Sequence, residues 1–436
     1  MRSPVFWRRS ATAAGVYVSA LLGFLGTIVA ARQLGPHDFG LLAIVIAVTG
    51  FFQLFGDLTV EEALVKFGFR YVQNEDWGRL RRLFRVGLEL KLAGGLLGAL
   101  LVAALAPASQ ALFGTRGLIT ALLVAALLPL AQSPEGAAAA VLIVRRRYDV
   151  RAGFLVVSML FRTIALVIGS RLGVVETVAA MVVAQAAATA AIGVAGVWLL
   201  RRYPQAPVQR LGHDRLPFRR FVVQSSVGSV LSPMRGLLGT MLLGIVTTPV
   251  QVGYFRAAQA PQSVFASLSS PARMVLLAEQ TYEFERGRHE RLYRMLRRYT
   301  LWASAAMLVA VPLLWWWMPT LIRVLLATKY EPATTAARLM LFVAAIQVVL
   351  GWTKSFPVSI GRPQLRIVAQ STEIAVLVPA LLALGAWKGA TGGAAAFLIA
   401  SIAFAAAWGV LLLRLRRDPP RAPAVTPVPG APELVP

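Results

Sequence analysis

The chain has 436 residues, of which 57% are apolar and 14% charged, whereas a water-soluble protein carries about a quarter charged residues, so a soluble fold is excluded. It has no cysteine and only the scattered histidines His37, His213 and His289, which excludes disulfides and clustered metal sites, so we predict no metal and no cofactor. The net charge of +25 comes from basic residues that recur between apolar runs, and this spread argues against a nucleic-acid partner.

Apolar runs long enough to cross a membrane core follow one another along the whole chain. They are rich in Leu, Ala, Val and Gly without strict alternation, which favours helices over the strands of a membrane barrel. The runs cover residues 11–30, 39–55, 83–106, 117–144, 152–170, 174–200, 221–246, 253–275, 301–318, 339–357, 368–387 and 390–413. The sequence therefore predicts an all-α integral membrane protein with about twelve transmembrane helices.

Arginine is concentrated in every second connection between these runs. Clusters surround Arg8, Arg81, Arg145, Arg219 and Arg294, whereas the alternate connections hold only isolated basic residues. Because basic loops stay on the cytoplasmic side, we predict that both termini are cytoplasmic and that the number of spans is even. The proline-rich residues 418–436 are predicted to be a disordered cytoplasmic tail.

The two halves of the sequence resemble each other. When the chain is shifted by 213 residues, Pro36 falls on Pro249 and Gly40 on Gly253, and a shift of 212 superposes the basic run at Arg79 on a similar run. Shared composition is the alternative explanation. Six spans in each half predict parallel repeats, with six-helix bundles over residues 1–210 and 211–417. Transporters with such repeats bind substrate between their halves, so the repeat indicates transport.

Three segments resemble a known family of membrane proteins. They are AARQLGPHDFGLLAIVIAVTGFFQLFGDLTVEEALVKF at residues 30–67, VGYFRAAQ at Val252 and IGRPQL at Ile360. They are similar to bacterial polysaccharide flippases of the multidrug/oligosaccharidyl-lipid/polysaccharide exporter superfamily. The resemblance implies two six-helix bundles, a cavity lined by spans one, two, seven and eight, and transfer of undecaprenyl-diphosphate-linked oligosaccharide across the inner membrane.

Two polar stripes in the second half are the strongest candidates for a binding site. A charge within a span is costly, so it is a functional candidate by default, and the planar guanidinium of arginine suits a diphosphate. At helical spacing, span seven carries Ser225, Ser229, Ser232 and Arg235, and span eight carries Arg256, Gln259, Ser263, Ser267, Ser270 and Arg273. The alternative is that the serines serve helix packing and that Arg256 and Arg273 extend to the interfaces.

The first half offers amide and acidic groups instead. Gln53 and Asp57 follow one face of span two and Lys66 lies just beyond, so these three complete the predicted substrate-binding set. Asp57 could alternatively cap the next helix. Asp57, Glu135 and Glu373 are the candidates for coupling to protons or sodium.

Three functions were compatible with a membrane protein of this kind. The predicted function is a non-enzymatic flippase that works by alternating access, with membrane lipids and a polysaccharide polymerase as predicted partners. A small-molecule exporter of the same superfamily is the alternative, although a cavity for cationic drugs would be expected to hold carboxylates. A membrane glycan-processing enzyme would need a sizeable external loop with acid and base residues, and the sequence has none.

Overall fold

The computed structural model describes residues 4–56, 59–115 and 117–417. Within these ranges it describes side chains except at 4–13, 227–229, 232, 268, 270–275 and 278. Sixteen α-helices follow in chain order: α1 (Pro4–Gly56), α2 (Val60–Gln73), α3 (Trp77–Leu105), α4 (Ser109–Phe113), α5 (Leu118–Ala125), α6 (Leu127–Val144), α7 (Tyr148–Gly169), α8 (Val174–Arg201), α9 (Arg215–Val246), α10 (Pro249–Ala258), α11 (Ala260–Leu268), α12 (Ser270–Glu285), α13 (His289–Leu326), α14 (Thr334–Val349), α15 (Phe356–Ser359) and α16 (Gln364–Arg417). The predicted tail, residues 418–436, lies outside the described residues.

Eight helical stretches in the described chain are long and apolar enough to cross a membrane. Two of them are bent and each supplies two crossings: α1 turns at Gly35, whose φ of 74° favours glycine, and α16 turns at Lys388 and Gly389. Crossing four is formed by α5 and α6, and crossing eight by α10 and α11. With α9 as crossing seven, the chain order gives twelve crossings, which confirms the predicted all-helical membrane fold.

The described part of the chain, from residue 4 to residue 417, therefore begins and ends at one face of the molecule. The same face carries the arginine clusters near Arg81, Arg145, Arg201, Arg294 and Arg416, and we call it the basic face. Helix α2 also lies there and is amphipathic, since its buried residues recur every three to four positions. The other face is called the opposite face.

The sequence repeat corresponds to a symmetric contact at the opposite face. Gly40 lies against the backbone of Pro249, and Gly253 lies in the same way against the backbone of Pro36. A methyl group at either glycine would overlap the carbonyl oxygen of the other half's proline. The residues that align at a shift of 213 therefore hold the second crossing of each half close together.

The hydrophobic core divides differently at the two faces. One continuous cluster near the opposite face unites residues of both halves, for example Ile44 with Phe255 and Phe397. Near the basic face there are two separate clusters, one around Leu64 in the first half and one around Trp408 in the second. The halves therefore pack together at the opposite face and are joined less extensively at the basic face.

Helix α9 links the halves at the basic face. Its first turns contribute Phe218 and Val222 to the hydrophobic cluster of the first half. Just before the helix, Asp214 accepts hydrogen bonds from Arg70 at 3.0 Å and from Tyr71 at 2.9 Å, both on α2. The rest of α9 packs on α16, so this crossing contacts both halves.

Candidate functional site

A groove lies between the halves, where the first crossing of α1 faces α10 and α11. Its volume is about 360 Å³. Tyr17, Phe24 and Thr27 line it from the first half, and Gln259 and Ser263 line it from the second. Aromatic, hydroxyl and amide groups therefore face one another across the boundary between the halves.

Two arginines from different halves lie close to this groove. Arg256 lines it and donates from Nη1 to Oε1 of Gln259 at 2.8 Å. Arg162 on α7 is near enough for its positive charge to interact with that of Arg256. Both side chains are exposed. Like charges repel, so this position suits an anion between them.

Arg235 lies elsewhere, inside the second half. Its Nη1 is 3.1 Å from Oε1 of Glu373, and the two side chains are each only 9% exposed. Its Nη2 donates to Oγ of Ser401 at 3.0 Å, and its guanidinium lies 4.9 Å from the ring centroid of Phe397. Because a buried charge must be paired and hydrogen-bonded, these contacts explain why this arginine is tolerated within a crossing.

The pair borders a pocket of about 290 Å³ between α9, α11, α14 and α16. Nε2 of Gln262 donates to Oε1 of Gln347 across this pocket at 3.1 Å. Nε of Arg235 and Oε1 of Gln370 are buried without a described protein partner. The second half thus encloses a polar chamber with unused hydrogen-bonding capacity.

The first half encloses a similar chamber of about 240 Å³. Nη2 of Arg151 lies 2.7 Å from Oε1 of Glu61. Nε2 of Gln53 donates to Oε1 of Gln132 at 3.0 Å. Lys91 also lines the chamber and is only 8% exposed. Both signs of charge therefore lie within this half.

The remaining predicted residues are distributed over these sites. Glu135 lines the first-half chamber and accepts a hydrogen bond from Nε2 of Gln185 at 2.8 Å. Lys66 lies on α2 with its Nζ 4.4 Å from the ring centroid of Phe221, so it contacts the start of α9 at the basic face. Asp57 lies outside the described residues, as do the side chains of Ser232 and Arg273.

The structure therefore does not bring the predicted substrate-binding residues onto one surface. Of this set, Arg256 and Gln259 are at the groove, whereas Arg235 is paired inside the second half and Gln53 inside the first. Arg235 is turned away from the groove because its compensating carboxylate, Glu373, lies on α16.

Sequence reasoning missed the position of Arg162. Arg162 lies within the apolar run at residues 152–170, and the sequence did not select it for the binding site. In the structure it lies near Arg256. The charge inside a span was the signal that could have identified Arg162. Its neighbour, Arg256, could not be identified in the same way because it lies on the other half of the chain.

Comparison with solved structures gives the fold. The chain is similar to a structure described as "Lipid II flippase MurJ, inward closed conformation", with a TM-score of 0.72, 13% identity and coverage of 93% of this chain and 87% of that one. It is also similar to a structure described as "Inward-facing conformation of a multidrug resistance MATE family transporter of the MOP superfamily", with a TM-score of 0.66, 14% identity and coverage of 94% and 95%. No curated protein matches the sequence.

A family model described as "Polysaccharide biosynthesis protein" matches residues 9–277. The match covers more than half of the chain and includes residues 9–210 of the first half, the groove residues of α10 and α11, and α9. This agrees with the resemblance of the segments around Gly40 and Val252 to polysaccharide flippases. The chain belongs to the family described as "Polysaccharide biosynthesis protein".

Proposed function

We propose that this protein moves an anionic, lipid-linked oligosaccharide across the membrane by alternating access of its two halves. The observation that supports this most directly is Arg256 on the wall of the groove between α1 and α10–α11, with Arg162 of the first half nearby on α7. A diphosphate carries the charge that such a pair can bind, and each guanidinium can donate to two oxygens at once.

The rest of the groove suits the other parts of such a cargo. Thr27, Gln259 and Ser263 offer hydroxyl and amide groups that can hydrogen-bond sugars. Tyr17 and Phe24 offer aromatic surface, and the groove is open at its side. In the proposed reaction the glycan head passes between the halves while the polyprenyl tail remains in the lipid. We infer undecaprenyl diphosphate as the carrier from the resemblance to polysaccharide flippases.

We propose that the moving bodies are the two predicted bundles, residues 1–210 and 211–417. Because the halves share one core near the opposite face and have separate cores near the basic face, a cleft that opens toward the basic face fits this packing. The arginine clusters support a cytoplasmic basic face with both termini inside and a location in the bacterial inner membrane. A polysaccharide polymerase would receive the product on the other side.

We propose proton or sodium coupling as the energy source, with Glu135, Glu373 and Asp57 as candidates. Glu135 and Glu373 both line chambers within a half, and Glu373 is paired with Arg235. Protonation of Glu373 would remove one charge of a buried pair and leave Arg235 uncompensated, which would favour a rearrangement of α9 against α16. This makes Glu373 the first carboxylate to test.

Export of small amphiphiles is the second candidate function, and the similarity to MATE transporters in fold and length favours it. Cationic drugs would be expected to need a carboxylate in the groove. Among the described residues that line the groove, the charged one is Arg256. The polarity of the groove therefore supports an anionic cargo over a cationic one.

The test is a strain that depends on this protein for its surface glycan. Arg256→Ala and Arg162→Ala are each expected to reduce surface glycan strongly and to cause lipid-linked precursor to accumulate, whereas Arg256→Lys retains part of the activity. Protein levels are matched by immunoblot, and Arg171→Ala, at the end of α7 on the opposite face, is the control. Normal surface glycan in both alanine variants, or altered drug resistance with untouched glycan, would contradict the proposal.

A further inference from the structure

A groove on the first half is separate from all of these sites. It has a volume of about 740 Å³ and lies between α3, α6 and α8 near the basic face. Its walls are mainly apolar and include Leu88, Val141 and Val197. Leu88 and Val197 are 38% and 51% exposed, so the groove opens outward to the surroundings of the helices rather than into the protein.

The sequence creates this groove through residues that leave space. Pro134 lies within α6 on its wall, and the carbonyl of Leu130, which loses its usual partner to the proline, accepts from Oγ of Ser133 at 2.9 Å. At Gly196 the helices α6 and α8 are close, since an added Cβ would lie 3.1 Å from Ala138 Cβ. At Gly193 an added Cβ would meet nothing within 4 Å. The floor of the groove is therefore open at Gly193.

Arginines occupy the rim of the groove at the basic face. Arg81 and Arg85 come from the RLRRLFR run of α3, and Arg201 ends α8. Nη2 of Arg81 donates to the carbonyl oxygen of Pro204 at 3.3 Å, which leaves its other N–H groups available. Within the described chain, none of these three arginines forms a salt bridge with a carboxylate. The arginines of this basic run therefore do not line the groove between the halves.

Neighbouring side chains place this rim at the level of lipid headgroups. Trp198 is 52% exposed, and the guanidinium of Arg202 lies 3.6 Å from its ring centroid. Tryptophan and arginine at the end of a crossing mark the membrane interface. The rim therefore lies where phosphates are found, and the apolar groove continues from it along the depth of acyl chains.

We propose that this groove is a binding site for an anionic phospholipid of the leaflet at the basic face. An acyl chain lies between α3, α6 and α8 over Gly193, and the phosphate is bound by Arg81, Arg85 and Arg201. Three guanidinium groups that have no carboxylate partner in the described chain lie above an apolar groove, and together they complement one negative headgroup on a diacyl tail. The volume is in the range of small-ligand sites. Gln205 at the rim supplies an amide for the glycerol or headgroup oxygens.

The site is tested on the full-length protein, purified in detergent, by native mass spectrometry with dioleoylphosphatidylglycerol as the probe. Arg85→Gln/Arg201→Gln removes two charges of the rim, and Gly193→Leu fills the open floor. The matched controls are Arg414→Gln/Arg417→Gln, exposed at the end of α16, and Gly153→Leu on α7, where an added Cβ also meets nothing within 4 Å. Size-exclusion profiles confirm that all variants are folded.

We expect the dissociation constant for the first bound phosphatidylglycerol to rise at least fivefold in each of the two groove variants and less than twofold in the controls. Dioleoylphosphatidylcholine should bind more weakly than phosphatidylglycerol to the unaltered protein, and its affinity should not change in Arg85→Gln/Arg201→Gln. Equal affinity of all variants for phosphatidylglycerol would overturn the proposal. Preferential displacement of phosphatidylglycerol by polyprenyl phosphate would overturn the phospholipid assignment and make the groove a site for the carrier lipid.

Discussion

The chambers inside the two halves contain the same two kinds of polar pair but differ in how they hold charge. Each has a glutamine pair that joins the second and fourth crossings of its half, Gln53 with Gln132 and Gln262 with Gln347. Each also has a carboxylate–guanidinium pair. In the first half the two side chains are 35% and 31% exposed, whereas in the second they are each 9% exposed.

The difference in exposure determines how much stability is lost when one partner of each pair is removed. Exposed ion pairs contribute about 0–1 kcal/mol because water solvates each charge alone. A buried pair contributes little in total, but removal of one partner costs about 3–5 kcal/mol because the other charge is left uncompensated. Arg235 and Glu373 should therefore respond to titration or mutation far more than Arg151 and Glu61.

The largest expected effect follows from breaking the buried pair. Glu373→Ala is expected to reduce the free energy of unfolding by about 3–5 kcal/mol because Arg235 remains buried and unpaired. Glu61→Ala should reduce it by about 1 kcal/mol or less. Denaturant titration in mixed micelles measures both. Equal losses in the two variants would contradict the distinction between the chambers.

A double replacement sharpens the same comparison. Arg235→Met/Glu373→Leu removes both charges, and we expect most of the stability lost in Glu373→Ala to return, since apolar side chains often replace a buried pair at little cost. The amount of surface glycan that this double variant exports then distinguishes a structural role of the pair from a role in coupling. If the stable double variant fails to export glycan, the pair has a role in transport, whereas normal export would show that the pair is structural only.

Mutation of the symmetric contact at the opposite face should have an intermediate effect on the free energy of unfolding. Gly40→Ala and Gly253→Ala each force a methyl group against a proline carbonyl of the other half. We expect each to lower the free energy of unfolding by about 1–3 kcal/mol, as overpacking does, and by similar amounts. Gly236→Ala on α9, where an added Cβ meets nothing within 4 Å, is the control. A large difference between the first two would show that the contact is not symmetric.

Mutation of the glutamine pairs should have the smallest effect on the free energy of unfolding. The losses in the two halves should also be the most similar. Gln132→Leu and Gln347→Leu each remove one hydrogen-bonding partner, and we expect losses of about 1 kcal/mol in both. The same denaturant titration serves as the measurement. If only one of the two variants loses stability, only the chamber in that half depends on its glutamine pair.

Local properties of the sequence predicted most of the fold. The length and hydrophobicity of each run predicted twelve crossings, and the alignment of Gly40 with Gly253 predicted a repeat that the structure shows as a physical contact. The partners of charged residues were not predictable in this way. Arg235 pairs with Glu373 on α16, and Arg162 approaches Arg256 on the other half. Helical spacing indicates which residues share a face but not what the face meets.

In the proposed function, an acidic head passes between the halves beside Arg162 and Arg256. This transfer can be measured in proteoliposomes that contain a fluorescent oligosaccharide linked to polyprenyl diphosphate, with an impermeant quencher to follow the movement of the label across the bilayer. We expect the unaltered protein to transfer it, Arg256→Ala to slow transfer at least tenfold, and a neutral-headed lipid of the same glycan not to be transferred. Equal transfer by Arg256→Ala, or equal transfer of the neutral lipid, would contradict the claim.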